Sequence, residues 1–289
     1  MDSTLMAMPS ITAGTGADPS RGPALLAAHA LTIEVSGRVL VDGLSLAVRP
    51  GEFIAILGRN GCGKSLTLHT LAGLRPITTG RVEFDGCALH HRARIDIARH
   101  LGFLPQDRED SLPLSVFEAA LLGRHPHIGW LHSETAEDVR IVNAALERMN
   151  VAHCAQRLAN TLSGGEQRRA AMAGLLAQAP QVYLLDEPTN HLDPHHQVDA
   201  LQAFRERCAE GAAVIATLHD PALAERCADR VLYLYGDNNG ENDGDNSISV
   251  GNWCYGLTAE LLTAAQLSRL YGTLMIELSG SGRRGFTPA

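Results

Sequence analysis

A glycine-rich segment, GRNGCGKS at residues 58–65, combines the residue types that bind phosphate. It follows the apolar run FIAIL, which is typical of a strand buried on both faces, and it precedes a helical pattern. Gly61 and Gly63 let the backbone curl so that its N–H groups converge on phosphate oxygens. Lys64 can reach the β- and γ-phosphates, and the Ser65 hydroxyl can hold magnesium. This context favours a nucleotide site over an ordinary glycine turn.

Polar side chains follow other apolar runs farther along the chain. Asp186 and Glu187 end the run VYLL, where Asp186 suits magnesium and Glu187 suits a general base that polarises the attacking water. His219 follows the run AVIATL, at the strand edge where open α/β sheets bind ligands, and could contact the γ-phosphate. Gln106 could bind the metal through its amide oxygen. Solvated turn residues are the alternative for the acidic pair.

A second glycine pair begins the segment LSGGEQRRAAMAG at residues 162–174. Ser163 and Glu166 have the spacing of a capping box, which predicts a helix starting at Gly164 and Gly165. Free N–H groups at such a start attract anions. Because the chain already has one phosphate loop, the second anion site must serve another nucleotide or the far side of the same one.

Composition excludes several classes of protein. The 289 residues are 45% hydrophobic and 4% aromatic, with a formal net charge of −8, which disfavours nucleic-acid binding. The six cysteines form no CxxC pair, so a disulfide framework or zinc site is not expected and a reducing compartment fits. The sequence shows no apolar run of membrane-spanning length and no signal peptide, so we expect any membrane spanning to come from another polypeptide.

Periodicity predicts an α/β fold. Its core is expected to be a P-loop NTPase unit with a mainly parallel sheet, preceded by an antiparallel β subdomain and interrupted by a helical insertion. Helices are predicted over 115–122 and 133–149. The predicted segments are a flexible extension (1–27), an ATP-binding core (28–106 and 161–278), a helical subdomain (107–160), a polar surface loop (236–252) and a C-terminal tail (279–289). An acidic calcium loop is the alternative at 236–252, although its spacing does not match an EF-hand.

Taken together, these motifs resemble the ATP-binding-cassette (ABC) ATPases over about residues 30–275. GRNGCGKS matches the family's phosphate loop, VYLLDE its acidic strand end, and LSGGE its signature motif. Gln106 falls at the Q-loop, NHLD (190–193) at the D-loop and His219 at the switch histidine. The resemblance implies ATP and Mg²⁺ as cofactors. It assigns nucleotide binding to Gly58, Asn60, Gly61, Cys62, Gly63, Lys64, Ser65, Leu66, Ser163, Gly164, Gly165 and Asp193, metal binding to Ser65, Gln106 and Asp186, and catalysis to Glu187, His219 and Gln106.

The resemblance also implies how the protein is assembled. In this family two cassettes pair head to tail, and each ATP lies between the phosphate loop of one and the signature motif of the other. Ser163 and the Gly165 N–H are therefore expected to bind the γ-phosphate of the partner's ATP. The chain is expected to act at the cytoplasmic face of the plasma membrane, peripherally, with a separate permease docked near residues 106–126. A solvated helical face is the alternative reading of 107–127.

Within the family, the sequence is most similar to importers of iron–siderophore complexes, haem and vitamin B12. The segments SVFEAALLGRHPH (115–127), LLDEPTNHLDPHHQ and LSRLYG (267–272) carry this similarity. It implies a substrate-binding protein as an indirect partner and no contact between this chain and the chelate. His125, His127, His195 and His196 are accordingly not expected to bind the chelate. An exporter ATPase and a non-transport cassette protein are the alternatives.

One position departs from the family pattern. The place of the aromatic residue that usually stacks on adenine is taken by Val35, which can pack against the base but has no π face. Either another aromatic substitutes, or adenine is held less tightly. Val35→Tyr is therefore expected to tighten ATP binding.

Overall fold

The computed structural model describes residues 22–106, 113–128, 133–236, 253–280 and 283–289. Its strands are β1 (Leu26–Val35), β2 (Arg38–Val48), β3 (Phe53–Gly58), β4 (Thr79–Phe84), β5 (Cys87–Ala88), β6 (Leu101–Leu104), β7 (Val182–Leu185), β8 (Ala213–Thr217), β9 (Arg230–Leu234), β10 (Trp253–Leu257), β11 (Met275–Gly280) and β12 (Arg283–Pro288). Its α-helices are α1 (Lys64–Leu71), α2 (Arg94–His100), α3 (Val116–Leu121), α4 (Ala136–Arg148), α5 (Gly164–Gln178), α6 (Pro194–Ala209), α7 (Pro221–Cys227), α8 (Thr258–Leu261) and α9 (Ala264–Tyr271). Short 3₁₀ segments lie at Leu89–His91, Leu122–His127, Ala152–Cys154 and Ala159–Thr161.

The central sheet has the order β10-β9-β3-β8-β7-β6 and is parallel except for β10. A separate antiparallel sheet has the order β2-β1-β4-β5, and β11 pairs with β12. This confirms the predicted α/β class with a mainly parallel sheet and an antiparallel N-terminal sheet. Since β3, β8 and β7 are neighbours and parallel, their carboxyl ends meet at one edge of the sheet.

Strand β3 is buried on both faces, as its unbroken apolar run predicts. Phe53, Ala55 and Leu57 belong to a core shared with the helices, whereas Ile54 and Ile56 belong to a core shared with the antiparallel sheet. The phosphate loop that follows β3 therefore starts from a strand fixed between two hydrophobic layers.

Helices α3, α4 and α5 pack on one another and form a helical layer. The contact between the 3₁₀ segment after α3 and helix α5 is close, because a Cβ on Gly123 would lie 2.1 Å from the Gly174 carbonyl oxygen. Arg148, at the end of α4, donates to both carboxylate oxygens of Glu206 on α6 at 2.8 and 3.0 Å. The layer is thus joined to the core by packing and by a bidentate ion pair.

Several predicted boundaries shift in the structure. Strand β1 starts at Leu26, inside the segment predicted as a flexible extension, because it pairs with both β2 and β4. Helix α5, which begins after the predicted limit of the helical subdomain at residue 160, packs on α3 and α4 and also contacts β6 of the central sheet. Part of the predicted C-terminal tail is strand β12, which pairs with β11. The loop at 236–252 lies outside the described residues after Gly236, as do 107–112 and 129–132 of the helical subdomain.

The predicted helices are shorter than the sequence pattern. Each begins after a capping residue, Ser115 for α3 and Thr135 for α4, and each cap is a complete capping box with the acid three residues later. No helix within the described ranges has both the length and the apolar character that a membrane crossing requires.

Candidate active site

The phosphate loop connects β3 to α1 and takes its shape from two glycines. Gly61 and Gly63 have φ angles of +78° and +102°, in the left-handed region that side chains with a Cβ rarely adopt. Gly63 precedes the first residue of α1, so the loop ends at a helix N-terminus whose N–H groups face the loop. The sequence places glycine where this curl requires it.

Lys64 lies inside the curl rather than in solvent. Its Nζ donates to the carbonyl oxygens of Gly58 at 2.8 Å and Arg59 at 3.1 Å, and the residue is 6% exposed. Cys62 is also buried in the loop, and burial raises the pKa of its thiol. The loop therefore holds a pre-positioned ammonium group beside a neutral thiol.

A cavity of about 320 Å³ opens at this loop. It is lined by Asn60, Gly61, Gly63, Lys64, Ser65, Leu66, Gln106, Glu187 and His219. These residues come from distant parts of the chain, and only the types of their motifs predicted that they act together. The structure brings them to one cavity.

Asp186 lies at the end of β7 and is 1% exposed. Its Oδ1 accepts a hydrogen bond from the Thr217 hydroxyl at 2.8 Å, and the same hydroxyl accepts one from the Glu187 N–H at 2.7 Å. Thr217 ends the neighbouring strand β8 and is fully buried. It ties the two carboxylate residues together, a role that the sequence analysis missed. The only sequence signal was a threonine within the apolar run AVIATL.

Glu187 is held from both sides. Its Oε1 lies 2.8 Å from Nε2 of His219, and its Oε2 accepts a hydrogen bond from the Asn190 side-chain amide. Its backbone has a φ of +47°, a strained conformation for a residue with a side chain, and the residue is 8% exposed. The surroundings thus fix the position of this carboxylate at the cavity wall.

His219 is supported by a residue from the late helix α9. The Tyr271 hydroxyl donates to the His219 carbonyl oxygen at 3.3 Å, and burial raises the pKa of Tyr271 to about 12. The tyrosine therefore remains a neutral hydrogen-bond donor. It belongs to the segment LSRLYG, which the sequence analysis used only for family similarity.

Arg168, on α5, is the second residue that the sequence analysis missed. Its guanidinium donates to the carbonyl oxygens of Pro105 at 2.5 Å, Gln106 at 3.1 Å and Glu187 at 2.9 Å. It also donates to the carbonyl oxygen of Asp186. The residue is 6% exposed, and its planar fork suits several acceptors at once. One arginine therefore fixes the main chain on both sides of the cavity from the signature helix.

The signature segment forms the capping box that its sequence predicts. The Ser163 hydroxyl accepts from the Glu166 N–H at 3.4 Å, while Glu166 Oε2 accepts from the Ser163 N–H at 2.9 Å. The Ser163 hydroxyl also donates to Glu166 Oε2 at 2.7 Å, and this hydrogen bond together with that from the Ser163 N–H lowers the pKa of Glu166 to about 2. Gly164 and Gly165 begin α5 as expected. The carboxylate therefore stays ionised at the helix N-terminus.

Some predicted site residues lie apart from this cavity. The signature residues Ser163, Gly164 and Gly165 are absent from its lining. Asp193 caps α6 by accepting from the His196 N–H at 3.0 Å, and it is also outside the cavity. Val35 lies at the β1–β2 turn, paired with Arg38 and packed against the core of the antiparallel sheet.

The proposed metal ligands offer oxygen donors of the kind that magnesium prefers. Ser65 and Gln106 line the cavity, and Asp186 lies at the strand end that carries Glu187. Magnesium is usually held by one or two carboxylates together with phosphate oxygens and water. A hydroxyl, an amide and a carboxylate beside a phosphate loop therefore fit the ion.

Comparison with known proteins agrees with the geometry. A sequence model described as ABC transporter matches residues 41–190. The hemin import ATP-binding protein HmuV of Nocardia farcinica is 40% identical over 222 residues, which cover 75% of this chain and 76% of that protein. The cobalamin import ATP-binding protein BtuD of Halobacterium salinarum is 36% identical over 205 residues, which cover 71% of this chain and 51% of that protein.

Solved structures give the same result. A chain from a metal-chelate type ABC transporter in an inward-facing conformation superposes with a TM-score of 0.75 at 25% identity, covering 92% of this chain and 98% of that one. A bacterial ABC transporter cassette solved as a dimer superposes with a TM-score of 0.64 at 25% identity, covering 72% and 94%. The chain belongs to the ABC transporter family.

Proposed function

We propose that this chain is the ATP-hydrolysing subunit of an importer for haem, cobalamin or a related iron–siderophore chelate. The observation that carries the proposal is the shared cavity of Lys64, Glu187 and His219 in a chain whose relatives are named as hemin and cobalamin import ATP-binding proteins. The relatives support the import direction, since their names specify import. The chelate itself is expected to pass through other subunits.

The phosphate loop binds the triphosphate. Lys64 exchanges its two loop carbonyl acceptors for β- and γ-phosphate oxygens, and the N–H groups of the loop and of the α1 start point at the same phosphates. Ser65, Gln106 and Asp186 would hold Mg²⁺, which neutralises phosphate charge when bound.

Glu187 acts as the general base. Its carboxylate accepts the proton of the water that attacks the γ-phosphate. His219 lies 2.8 Å from Oε1 and Asn190 donates to Oε2, so the carboxylate is oriented before the nucleotide arrives. Thr217 fixes the backbone N–H of Glu187 relative to Asp186. The base and the proposed metal ligand therefore keep a constant separation.

Two copies of the chain pair head to tail, with ATP at the interface. Support comes from the absence of Ser163, Gly164 and Gly165 from the lining of the cavity that holds Lys64. An anion-binding helix start outside the chain's own phosphate site suits a nucleotide held by a second copy. Asp193, at the start of α6, takes part in the same interface through the D-loop.

A separate membrane permease docks on the helical layer. The candidate surface is the segment around Gln106–Pro126; Gln106 lines the cavity, and residues 107–112 lie outside the described residues. Arg168 binds the main chain of Gln106 and also that of Glu187, so movement of a docked permease would reach the base through few contacts. The chain acts peripherally at the cytoplasmic face of the membrane, and a substrate-binding protein delivers the chelate to the permease.

Glu187→Gln tests the catalytic assignment. The amide keeps the shape of the side chain but cannot accept the proton, so we expect ATP binding to persist while turnover falls about a thousandfold. ATP should then trap a dimer, which light scattering would detect. Glu210→Gln, at an exposed position on the end of α6, is the control and should retain full turnover. Normal hydrolysis by the Glu187→Gln chain would remove Glu187 as the base.

Reconstitution with the permease tests the import assignment. Proteoliposomes containing this chain and its permease should take up haem or cobalamin only with ATP and the substrate-binding protein. The Glu187→Gln chain should assemble with the same permease and take up none. ATP-driven movement of the chelate in the opposite direction would instead identify an exporter.

A further inference from the structure

Three potential metal ligands converge at the start of α5. The Cys154 thiol donates to Oε1 of Glu166 at 3.5 Å, and Nε2 of His153 lies 3.9 Å from the same oxygen. One ligand atom from each of the three residues lies within 4.8 Å of the other two. None of the three lines the ATP cavity. Sulfur, nitrogen and oxygen donors thus meet at a place that the ATPase chemistry does not use.

The separation of Cys154 and Glu166 fits a tetrahedral zinc ion. Zinc binds thiolate sulfur at about 2.3 Å and carboxylate oxygen at about 2.0 Å, so the S···O edge of a tetrahedron is about 3.5 Å. The sulfur and oxygen of Cys154 and Glu166 are already 3.5 Å apart. The corresponding N···O edge is about 3.3 Å, so Nε2 of His153, now 3.9 Å from Oε1 of Glu166, must approach by about 0.6 Å. The His153 side chain is 63% exposed, so it has room to move.

A positive charge already lies beside these donors. Nη1 of Arg157 is 3.7 Å from Cys154 Sγ and 3.9 Å from Glu166 Oε1. The Arg157 side chain is half exposed, so it can swing into solvent. The guanidinium therefore marks a place where the protein stabilises a cation, and it also competes with any metal ion.

A second cluster, Asp193, His195 and His196, is the only other such group among the described residues. It lacks a thiol, and Asp193 already accepts from both the N–H and the ring Nδ1 of His196. The cluster at the start of α5 is therefore the stronger candidate for a thiophilic ion.

We propose that His153, Cys154 and Glu166 form a binding site for a divalent transition-metal ion of the zinc class. On binding, the thiol proton leaves to solvent, the thiolate and the Glu166 carboxylate bond to the ion, and Arg157 moves out. The fourth position is taken by water. A zinc site is not expected from the sequence because the chain has no CxxC pair, whereas the fold brings Glu166 to His153 and Cys154.

The site is connected to the signature motif through one carboxylate. While Oε1 of Glu166 faces Cys154 and His153, Oε2 accepts from the Ser163 hydroxyl at 2.7 Å and from the Ser163 N–H. An ion on Oε1 would lock the capping box to the Ala152–Cys154 segment. The proposed function requires Ser163 to contact the partner's ATP. On that basis, a metal ion bound to Glu166 slows ATP turnover. A chelate importer would then respond to free metal.

Cobalt titration of the purified full chain without nucleotide tests the site directly. Thiolate-bound Co²⁺ absorbs in the near ultraviolet, and Zn²⁺ should displace it at one equivalent per chain. We expect Cys154→Ser to abolish the band and His153→Ala to weaken metal affinity about tenfold or more. Arg157→Ala should strengthen the affinity because the competing guanidinium is gone.

Matched controls separate this site from others. Cys87→Ser, at an exposed cysteine, and His196→Ala, in the second cluster, should leave the titration unchanged. A thiolate band that survives in the Cys154→Ser chain, or zinc binding that is lost only in the His196→Ala chain, would overturn the proposal.

The regulatory consequence has its own readout. Zn²⁺ at one equivalent, with saturating Mg²⁺ and ATP, should lower the wild-type ATPase rate severalfold and leave the Cys154→Ser rate unchanged. If Co²⁺ binds but Zn²⁺ does not change the ATPase rate, the metal site is supported and its effect on the signature motif is refuted. If no variant hydrolyses ATP at all, the proposed function fails, while the cobalt titration still decides the site.

Discussion

Thr217 is one small side chain that links two acidic residues, Asp186 and Glu187. The hydroxyl has one proton to donate and lone pairs to accept, and both kinds of hydrogen bond are used, one to Asp186 and one from Glu187. Asp186 and Glu187 are both buried, so Oδ1 of Asp186 and the backbone N–H of Glu187 depend on this hydroxyl as their hydrogen-bond partner. The relative position of the two carboxylate residues therefore depends on this hydroxyl.

Thr217→Val tests that dependence, because it keeps the shape and removes both hydrogen bonds. Two buried groups lose a partner, so we expect the free energy of unfolding to fall by about 1–3 kcal/mol and kcat by roughly tenfold. Thr70→Val is the control, since that buried hydroxyl only donates to the Leu66 carbonyl within α1. Urea denaturation and ATPase assays measure both effects. Equal losses in the two variants would show that Thr217 has no special role.

At this scale the sequence pointed to residues that line the cavity better than to the residues that hold them in place. Lys64, Glu187 and His219 were predicted because their residue types and strand-end positions suit phosphate and proton chemistry. Asn190, Tyr271 and Thr217 were missed as supports because each acts through a contact between segments that are distant or separated by a turn. No local pattern records such contacts.

Among the elements, helix α5 links two regions that act on different nucleotides in the proposed dimer. Its N-terminus carries Ser163 as the cap, and one turn later Arg168 binds the main chain of Gln106 and Glu187. A rigid helix transmits displacement of one end to the other. Arg168 is thus a positioning residue between the signature motif and the cavity.

Arg168→Lys keeps the charge but replaces a planar fork of donors by a single ammonium group. Several carbonyl groups lose their partner, so we expect stability to fall by about 2–3 kcal/mol and kcat to fall much more than the KM for ATP rises. If Arg168 had a purely structural role, the variant would instead give less active protein, and its kcat would not fall more than its KM rises. Arg140→Lys, in an exposed pair with Glu137, is the control and should change neither quantity.

The acid caps of α4 and α5 give the helical layer a pH dependence. Hydrogen bonds from Thr135, with help from Arg124, lower the pKa of Asp138 to about 2, and those from Ser163 lower the pKa of Glu166 to about 2. A carboxylate whose pKa is lower in the folded state stabilises it above its ordinary pKa near 4 and loses this contribution as the pH falls towards 2. We expect hydrogen exchange in α4 and α5, expressed relative to the intrinsic rate of an unfolded peptide at each pH, to accelerate over that range.

Asp138→Asn provides the check on this cause. The amide cannot ionise, so the acceleration in α4 should disappear while that at the start of α5 remains. If α4 of the variant opens with the same pH profile as the wild type, Asp138 is not responsible. Far-ultraviolet circular dichroism would establish that the variant is folded at neutral pH.

Element types were predictable from the sequence where burial leaves a local pattern. Strands β3, β7, β8 and β9 are unbroken apolar runs because helices or a second sheet cover both faces. The sequence did not predict that α5 packs with the helical layer, because this packing depends on contacts with α3 and α4. The same applies to β12, whose polar sequence forms a strand only because β11 pairs with it.

For the whole molecule, the main consequence of the proposed dimer is that one chain would contain half of each of two sites. The cavity beside Lys64 is lined by the phosphate loop and Glu187, whereas the start of α5 lies outside its lining. Cyclic pairing of two identical chains produces two equivalent composite sites. Each site then needs Lys64 from one copy and Gly164 from the other.

Mixing two inactive variants tests this arrangement. Lys64→Ala removes the phosphate ligand, and Gly164→Asp places a negative charge at the signature helix start. The structure favours Gly164 for this purpose, because a Cβ there meets only ordinary contacts at 3.6 Å, whereas on Gly165 it would lie 2.9 Å from the His191 carbonyl oxygen. Each variant alone should be inactive, since every site in its dimer is defective.

In the mixture, random pairing makes half of the dimers mixed, and each mixed dimer has one intact site and one doubly defective site. We therefore expect about a quarter of wild-type ATPase activity at equal concentrations. A double variant, Lys64→Ala with Gly164→Asp, mixed with either single variant is the control and should restore nothing. If the two single variants stay inactive together, or if Gly164→Asp alone hydrolyses ATP at the wild-type rate, the nucleotide is not shared between two copies.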